Sequence, residues 1–69
     1  MTDTKKLESV IAASGYKKSY IAQAVGVVPA TLSRKIHNMM EFKATEIQAL
    51  CQLLGIGPDD MMSIFFAAE

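Results

Sequence analysis

The chain of 69 residues is long enough for one small folded domain, and its 51% of hydrophobic side chains can supply a core. Cys51 is the only cysteine, which excludes a disulfide framework, and no apolar run reaches the roughly 20 residues that a membrane-spanning helix needs. The formal net charge is zero, which excludes a protein that binds nucleic acid through its overall charge.

The charge is nevertheless distributed unevenly along the chain. Residues 15–45 carry five basic side chains and one acidic one, a net charge of +4, whereas the rest carries two basic and six acidic ones, a net charge of −4. The five basic residues are Lys17, Lys18, Arg34, Lys35 and Lys43. A positive middle segment favours a surface there that binds a polyanion.

The first predicted helix begins at Asp3 or Thr4, because either side chain can cap its first turn. Leu7, Val10 and Ile11 recur at helical spacing and predict one apolar face. A glycine then ends the helix.

The second predicted helix spans about residues 18–25, and a tight turn joins it to a third helix. Ala22 is small at a point where another helix must cross closely, and Gly26 suits the left-handed backbone at a helix end. Val27 is expected to fill the core at the corner. Small residue, glycine, apolar residue and new helix is the order typical of a helix-turn-helix.

The third predicted helix runs from about Pro29 to Asn38. Proline fits its first turn, where the missing N–H has no intrahelical acceptor to lose. Leu32 and Ile36 lie four residues apart on one face and are expected to point inward.

The segments GYKKSYIA and TLSRKI, with the FF near the C-terminus, resemble short phage- and prophage-associated members of the Xre-like helix-turn-helix family. This family includes the phage Cro proteins and the lambda-type repressors. The resemblance covers about residues 4–66. It implies an all-α domain of five helices in the lambda-repressor-like arrangement, with residues 1–69 forming a single domain.

The same resemblance implies a DNA-binding transcriptional regulator of Cro or repressor type in the bacterial cytoplasm. Its expected partner is double-stranded DNA, bound as a homodimer, with a protein partner as a further option. We expect no enzyme activity, cofactor, metal site, small-molecule ligand or membrane partner.

Base contacts are implied for the third helix, which the family places in the major groove. The candidates are Val28, Pro29, Ala30, Thr31, Ser33 and Arg34. The first three side chains donate no hydrogen bond, although the family is usually polar there, so they offer only apolar contact with a thymine methyl group. Arg34 is the leading candidate for polar readout, and we expect modest sequence discrimination helped by DNA shape.

Phosphate contacts are predicted for a second set: Lys17, Lys18, Lys35, His37, Asn38 and Lys43. Lys17 and Lys43 stand where the family favours a capping Ser or Thr. A lysine at a helix N-terminus opposes the helix dipole, unless an anion binds there. The alternative is that these lysines are solvated and carry no function. At Lys35 the family often has an apolar core residue, a role that Ile36 is expected to take over.

The fourth predicted helix spans about residues 44–54, and the fifth begins at Gly57 and Pro58. Core spacing in the fourth helix is provided by Ile47, Leu50, Cys51 and Leu54. Cys51 is therefore expected to be a buried hydrophobic residue and not a reactive thiol.

Four apolar residues are candidates for a dimer or partner surface: Met39, Met40, Met62 and Phe66. The two methionines of the turn either pack on the flank of the bundle or form a patch for a partner. On the fifth helix, Met62 and Phe66 lie about 100° from the face of Met61 and Phe65. One helix hides one such face easily, so the second either closes over the first helix or forms a dimer interface. A dimer would read half-sites about 34 Å apart.

The competing hypothesis is a protein-interaction module on the same scaffold, such as an antirepressor or inhibitor. The zero net charge, the apolar start of the third helix and the two methionines of the turn favour it. Salt dependence discriminates between the two hypotheses, because phosphate contacts weaken steeply as salt rises and apolar contacts do not.

Overall fold

A computed structural model describes residues 1–68, and these residues form five α-helices and no β-strand. The helices are α1 (Thr4–Ser14), α2 (Lys18–Val25), α3 (Pro29–Ile36), α4 (Ala44–Leu54) and α5 (Pro58–Phe65). The predicted all-α fold of five helices is confirmed. None of the helices in residues 1–68 is long and apolar enough to cross a membrane.

The N-terminus of α1 and the C-terminus of α2 are capped by the residues that the sequence predicts. The Asp3 carboxylate accepts a hydrogen bond from the Lys6 N–H at 3.1 Å and so caps the N-terminus of α1. Gly26 ends α2 with φ at 90°, a left-handed conformation in which a Cβ would be strained. Its N–H donates to the Ala22 carbonyl at 2.9 Å, which closes the last turn.

The C-terminus of α3 differs from the prediction, because the helix ends at Ile36 and not at Asn38. Asn38 adopts a φ of 63°, which a right-handed helix cannot accommodate. The Met39 N–H donates to the Arg34 carbonyl at 2.8 Å, and the Asn38 N–H donates to the Lys35 carbonyl at 3.3 Å. These two bonds form a Schellman motif, which satisfies the last carbonyls and turns the chain away.

The core receives side chains from all five helices. The buried apolar residues are Leu7, Ile11, Ile21, Ala22, Leu32, Ile36, Ile47, Leu50, Ile64 and Phe65. Among the helix pairs, α2 packs against both α3 and α4, which explains the small residue Ala22 at its centre. Phe42, from the loop after α3, packs edge-on against Phe65 with ring centroids 5.4 Å apart.

The N-terminal residues 1–3, with the first residue of α1, form a segment that ties the end of α3 to α5. The Thr4 hydroxyl donates to the Ile36 carbonyl at 2.7 Å, and the Asp3 N–H donates to the Ile64 carbonyl at 2.6 Å. Thr2 is buried between them. The segment therefore fixes the position of α3 at its C-terminal end.

Candidate nucleic-acid interface

The N-termini of α2, α3 and α4, like that of α5, receive no hydrogen bond from an N-cap side chain. Their N-cap residues are Lys17 for α2, Val28 for α3 and Lys43 for α4, and none of these side chains accepts a hydrogen bond from the first turn. Lysine and valine have no acceptor to offer. The N-termini of α2 and α4 therefore each combine a lysine with first-turn N–H groups that no N-cap side chain binds, an arrangement that attracts anions.

The outer side of α3 is open to solvent along most of its length. Arg34 is exposed, and Thr31 and Ser33 are half-buried beside it. Val28 is 62% exposed, and Pro29 and Ala30 are exposed with it. The structure thus brings all six base-contact candidates to one accessible helix and its N-cap, with the inward face left to Leu32 and Ile36.

Lys17 and Lys18 are both exposed at the start of α2. The Lys18 Nζ lies 3.1 Å from an oxygen of Glu8 on α1, in a half-exposed ion pair. This pair reduces the positive charge that Lys18 presents, so a phosphate there would compete with the Glu8 carboxylate. Lys17 and Lys43 are the more available cations at these helix ends.

The predicted phosphate contact of Lys35 is corrected by the structure. Lys35 is only 3% exposed, and its Nζ lies 2.6 Å from the Glu46 Oε1 inside the protein. The lysine therefore neutralises a buried carboxylate and is not available to DNA. Ile36 is also fully buried, so both residues point inward at a place where one apolar residue was expected.

Glu46 binds both Lys35 and Lys43, a role that was not predicted from the sequence. Its Oε1 accepts hydrogen bonds from the Lys35 Nζ at 2.6 Å and from the Lys43 N–H at 2.8 Å. Burial by itself raises the pKa of the Glu46 carboxyl, but these two hydrogen bonds and the charges of Lys35 and Lys43 outweigh it and leave that pKa below its ordinary value. The carboxylate is therefore ionised at neutral pH.

Asn38 and His37 lie at the end of α3 with different surroundings. The Asn38 Oδ1 accepts from the Thr2 N–H at 2.8 Å, and its Nδ2 donates to the Thr2 carbonyl at 2.9 Å. This two-way pairing gives the Asn38 side chain a structural partner, and its phosphate contact stays a prediction. His37 is exposed and remains accessible.

The four candidates for a dimer or partner surface are all exposed, but only two of them come together. A groove of about 660 Å³ lies between α4 and α5, and a second of about 460 Å³ lies beside the N-terminal segment. Phe66, which is 55% exposed, and Ile47 line both grooves, and Met40 lines the second. Met39 and Met62 line neither of these two grooves. Cys51 lines the first, and burial raises the pKa of its thiol.

Two exposed hydroxyl residues were missed by the sequence reasoning. Ser19 lies in the first turn of α2 beside Lys18, and Thr45 lies in the first turn of α4 beyond Lys43. Their position in the first turn of an uncapped helix was the available signal. Glu46 was missed as well, although a Glu three residues after an N-cap is typical of a capping box.

The packing of α2 against α3 across the turn at Gly26, with the outer side of α3 exposed, defines a helix-turn-helix protein. A family model described as the Cro/C1-type HTH DNA-binding domain matches residues 6–66. The chain therefore belongs to the family of Cro/C1-type helix-turn-helix DNA-binding domains. No curated protein and no solved structure matches the chain.

Proposed function

We propose that this protein is a sequence-specific transcriptional regulator of Cro or repressor type, of phage or prophage origin, that acts on double-stranded DNA in the bacterial cytoplasm. In this proposal α3 is the recognition helix and lies in the major groove, where its outer side faces the bases. The uncapped N-termini of α2 and α4, with Lys17 and Lys43, bind backbone phosphates.

The observation that carries the proposal is the position of Arg34. Its side chain is exposed on the outer side of α3, with the half-buried hydroxyl residues Thr31 and Ser33 nearby. A guanidinium donates two hydrogen bonds to the major-groove edge of guanine, which is the commonest specific contact between proteins and DNA. Val28, Pro29 and Ala30 offer apolar contact alone, so most of the polar discrimination is assigned to Arg34.

The test begins with selection of duplexes from a random pool by the wild-type protein, followed by measurement of affinity at several salt concentrations. Arg34→Ala is expected to weaken binding to the selected duplex by about tenfold or more and to flatten the differences among sequences. Lys17→Ala is expected to weaken binding to all sequences alike and to reduce the salt slope by about one. Lys5→Ala, an equal loss of charge on the exposed side of α1, is the matched control.

We also propose that the protein binds DNA as a homodimer through the two grooves that meet at Phe66. A half-exposed ring at the edge of a groove offers a self-complementary contact, because a two-fold axis can place the ring of each copy against the groove of the other. Phe66→Ser is expected to abolish dimers in sedimentation and to leave binding to an isolated half-site intact. Tyr20→Ser, which removes a comparably exposed ring that lines neither groove, should leave the dimer unchanged.

The second candidate function is binding of another protein by the same apolar surface, as in an antirepressor. The exposed Met40 and Phe66 beside the two grooves favour it. A folded wild-type protein that binds no duplex even at low salt would refute the regulator and leave this second function.

A further inference from the structure

The inward side of α3 carries a buried ion pair, Lys35–Glu46, at a place where an apolar residue is usual. Lys35 follows the fully buried Leu32 on the inward side, and Lys35 and Glu46 are 3% and 7% exposed. Removing two charges from water is costly, and replacing a buried ion pair by apolar residues of similar volume is often neutral or stabilising. Stability alone therefore gives no reason for this pair. Unlike an apolar pair, the ion pair forms hydrogen bonds with fixed directions.

Those hydrogen bonds close the loop of residues 37–43 from the inside. The Lys35 Nζ donates to the Glu46 Oε1 at 2.6 Å and to the Glu41 carbonyl at 3.2 Å. The same Glu46 oxygen accepts the Lys43 N–H at 2.8 Å. One carboxylate oxygen thus joins the inward side of α3 to the first residue before α4.

Little else connects these two helices directly. The packed partners of α3 are α1 and α2, and those of α4 are α1, α2 and α5. Direct packing between α3 and α4 is therefore slight. Both helices pack on α1 and α2, and within the described residues the Lys35–Glu46 hydrogen bond joins α3 to α4 directly, between Arg34 on the outer side of α3 and Lys43 at the start of α4.

We infer that Lys35 and Glu46 are positioning residues for DNA binding, which hold α3 and the lysine-bearing N-terminus of α4 at one spacing so that base and phosphate contacts form in the same register. Neither side chain touches DNA. The inference rests on the proposed DNA-binding role of α3 and α4 and adds to it the residues that set their geometry. A binding site loses affinity when its supporting residues leave it loose, because binding must then order it.

The test is the double variant Lys35→Met/Glu46→Gln, which removes both charges together and keeps an amide oxygen for the Lys43 N–H. We expect it to fold with little loss of stability, whereas its preference for the selected duplex over a random duplex falls about tenfold. A second readout needs no DNA: amide hydrogen exchange at residues 39–44 should become faster, while exchange at Leu50 in the core stays unchanged.

The matched control is Lys5→Met/Asp59→Asn, which removes one charge of each sign from exposed positions on α1 and α5. It should change neither the duplex preference nor the exchange of the loop amides. A folded Lys35→Met/Glu46→Gln protein with wild-type preference for the selected duplex would overturn the inference. If this variant does not fold, Lys35→Met/Glu46→Leu takes its place under the same criteria. Failure of both to fold would also overturn the inference, because the pair would then serve the fold itself.

Failure of the proposed function gives a different result. In that case the wild-type protein selects no duplex at all, irrespective of any variant. The exchange readout then still shows whether the pair fixes the loop, but the link to DNA is lost.

Discussion

The two connections that flank α3 are held in different ways. The turn from α2 to α3, residues 26–28, is closed by backbone hydrogen bonds from the N–H groups of Gly26 and Val27 to the Ala22 carbonyl, at 2.9 and 3.0 Å. The loop from α3 to α4, residues 37–43, opens with the backbone bonds of the Schellman motif, but it is held in place by side chains that reach distant partners, such as Asn38 with Thr2. The shape of the turn is thus local, whereas the shape of the loop depends on residues far apart in the sequence.

Lys35→Met on its own should destabilise the protein most, because it leaves the buried Glu46 carboxylate without its cation. We expect the free energy of unfolding to fall by about 3 to 5 kcal/mol, which denaturant titration would measure. Lys18→Met removes the cation of the half-exposed Glu8–Lys18 pair and should cost less than about 1 kcal/mol. Equal losses from the two substitutions would contradict the importance of the buried pair.

Acid should reduce the contribution of the same pair. The pKa of Glu46 is lowered in the folded protein, so its stabilising effect is fully present above the ordinary glutamate pKa of about 4.3 and is lost as the pH falls through the lowered value. The stability gap between wild type and Lys35→Met should therefore narrow as the pH falls, because protonation relieves the unpaired carboxylate of the variant and then removes the ion pair of the wild type. Unfolding curves at several pH values would check this, and a gap independent of pH would contradict it.

Asn38→Gly separates the two contributions of Asn38, its left-handed backbone and its side-chain hydrogen bonds. Glycine keeps the left-handed backbone but loses both hydrogen bonds to buried Thr2, so we expect a loss of about 2 kcal/mol. Asn38→Ala should be less stable by about a further 1 kcal/mol, because alanine is strained at a φ of 63°. Equal stability of the two variants would show that the backbone strain is small.

Gly26→Ala tests the turn, where backbone conformation is the main determinant. The φ of 90° at Gly26 should make alanine less stable by about 1 kcal/mol, although no atom blocks the new methyl group. Gly57→Ala, at a φ of −78° and also in open space, should change stability by only about a few tenths of a kcal/mol, because the poorer N-cap preference of alanine is offset by the smaller conformational entropy of its unfolded chain. Thermal unfolding of both variants would settle whether backbone conformation, and not space, requires the glycine.

The same difference decides what could be predicted from the sequence. The bounds of α2 and the turn at Gly26 follow from local signals, and the structure confirms them together with the inward positions of Leu32 and Ile36. The end of α3 was predicted two residues late, because the left-handed Asn38 closes a Schellman motif there and its side chain is held by Thr2, 36 positions away. Lys35 was assigned to phosphate because its buried partner lies on another helix, which periodicity within one helix cannot reveal.

Lys43→Ser should change the free energy of unfolding only slightly, and it should also show whether Lys43 takes part in DNA binding. The introduced hydroxyl can accept the Glu46 N–H while the Glu46 carboxylate already accepts the N–H of residue 43, which completes a capping box. We expect the protein to be more stable by about 0.5 to 1 kcal/mol. If Lys43 binds a phosphate, the salt slope of DNA binding should fall by about one at the same time.

Val28→Ser is the counterpart on the turn, because it adds a hydroxyl at the uncapped N-terminus of α3 without removing a charge. It should raise stability by a similar amount and leave the salt slope unchanged. A Lys43→Ser protein that is more stable and keeps the wild-type salt slope would remove Lys43 from the DNA interface. If the salt slope of DNA binding falls for Lys43→Ser and not for Val28→Ser, Lys43 binds a phosphate. This contact would then explain why α4 begins with a lysine and not with a capping residue.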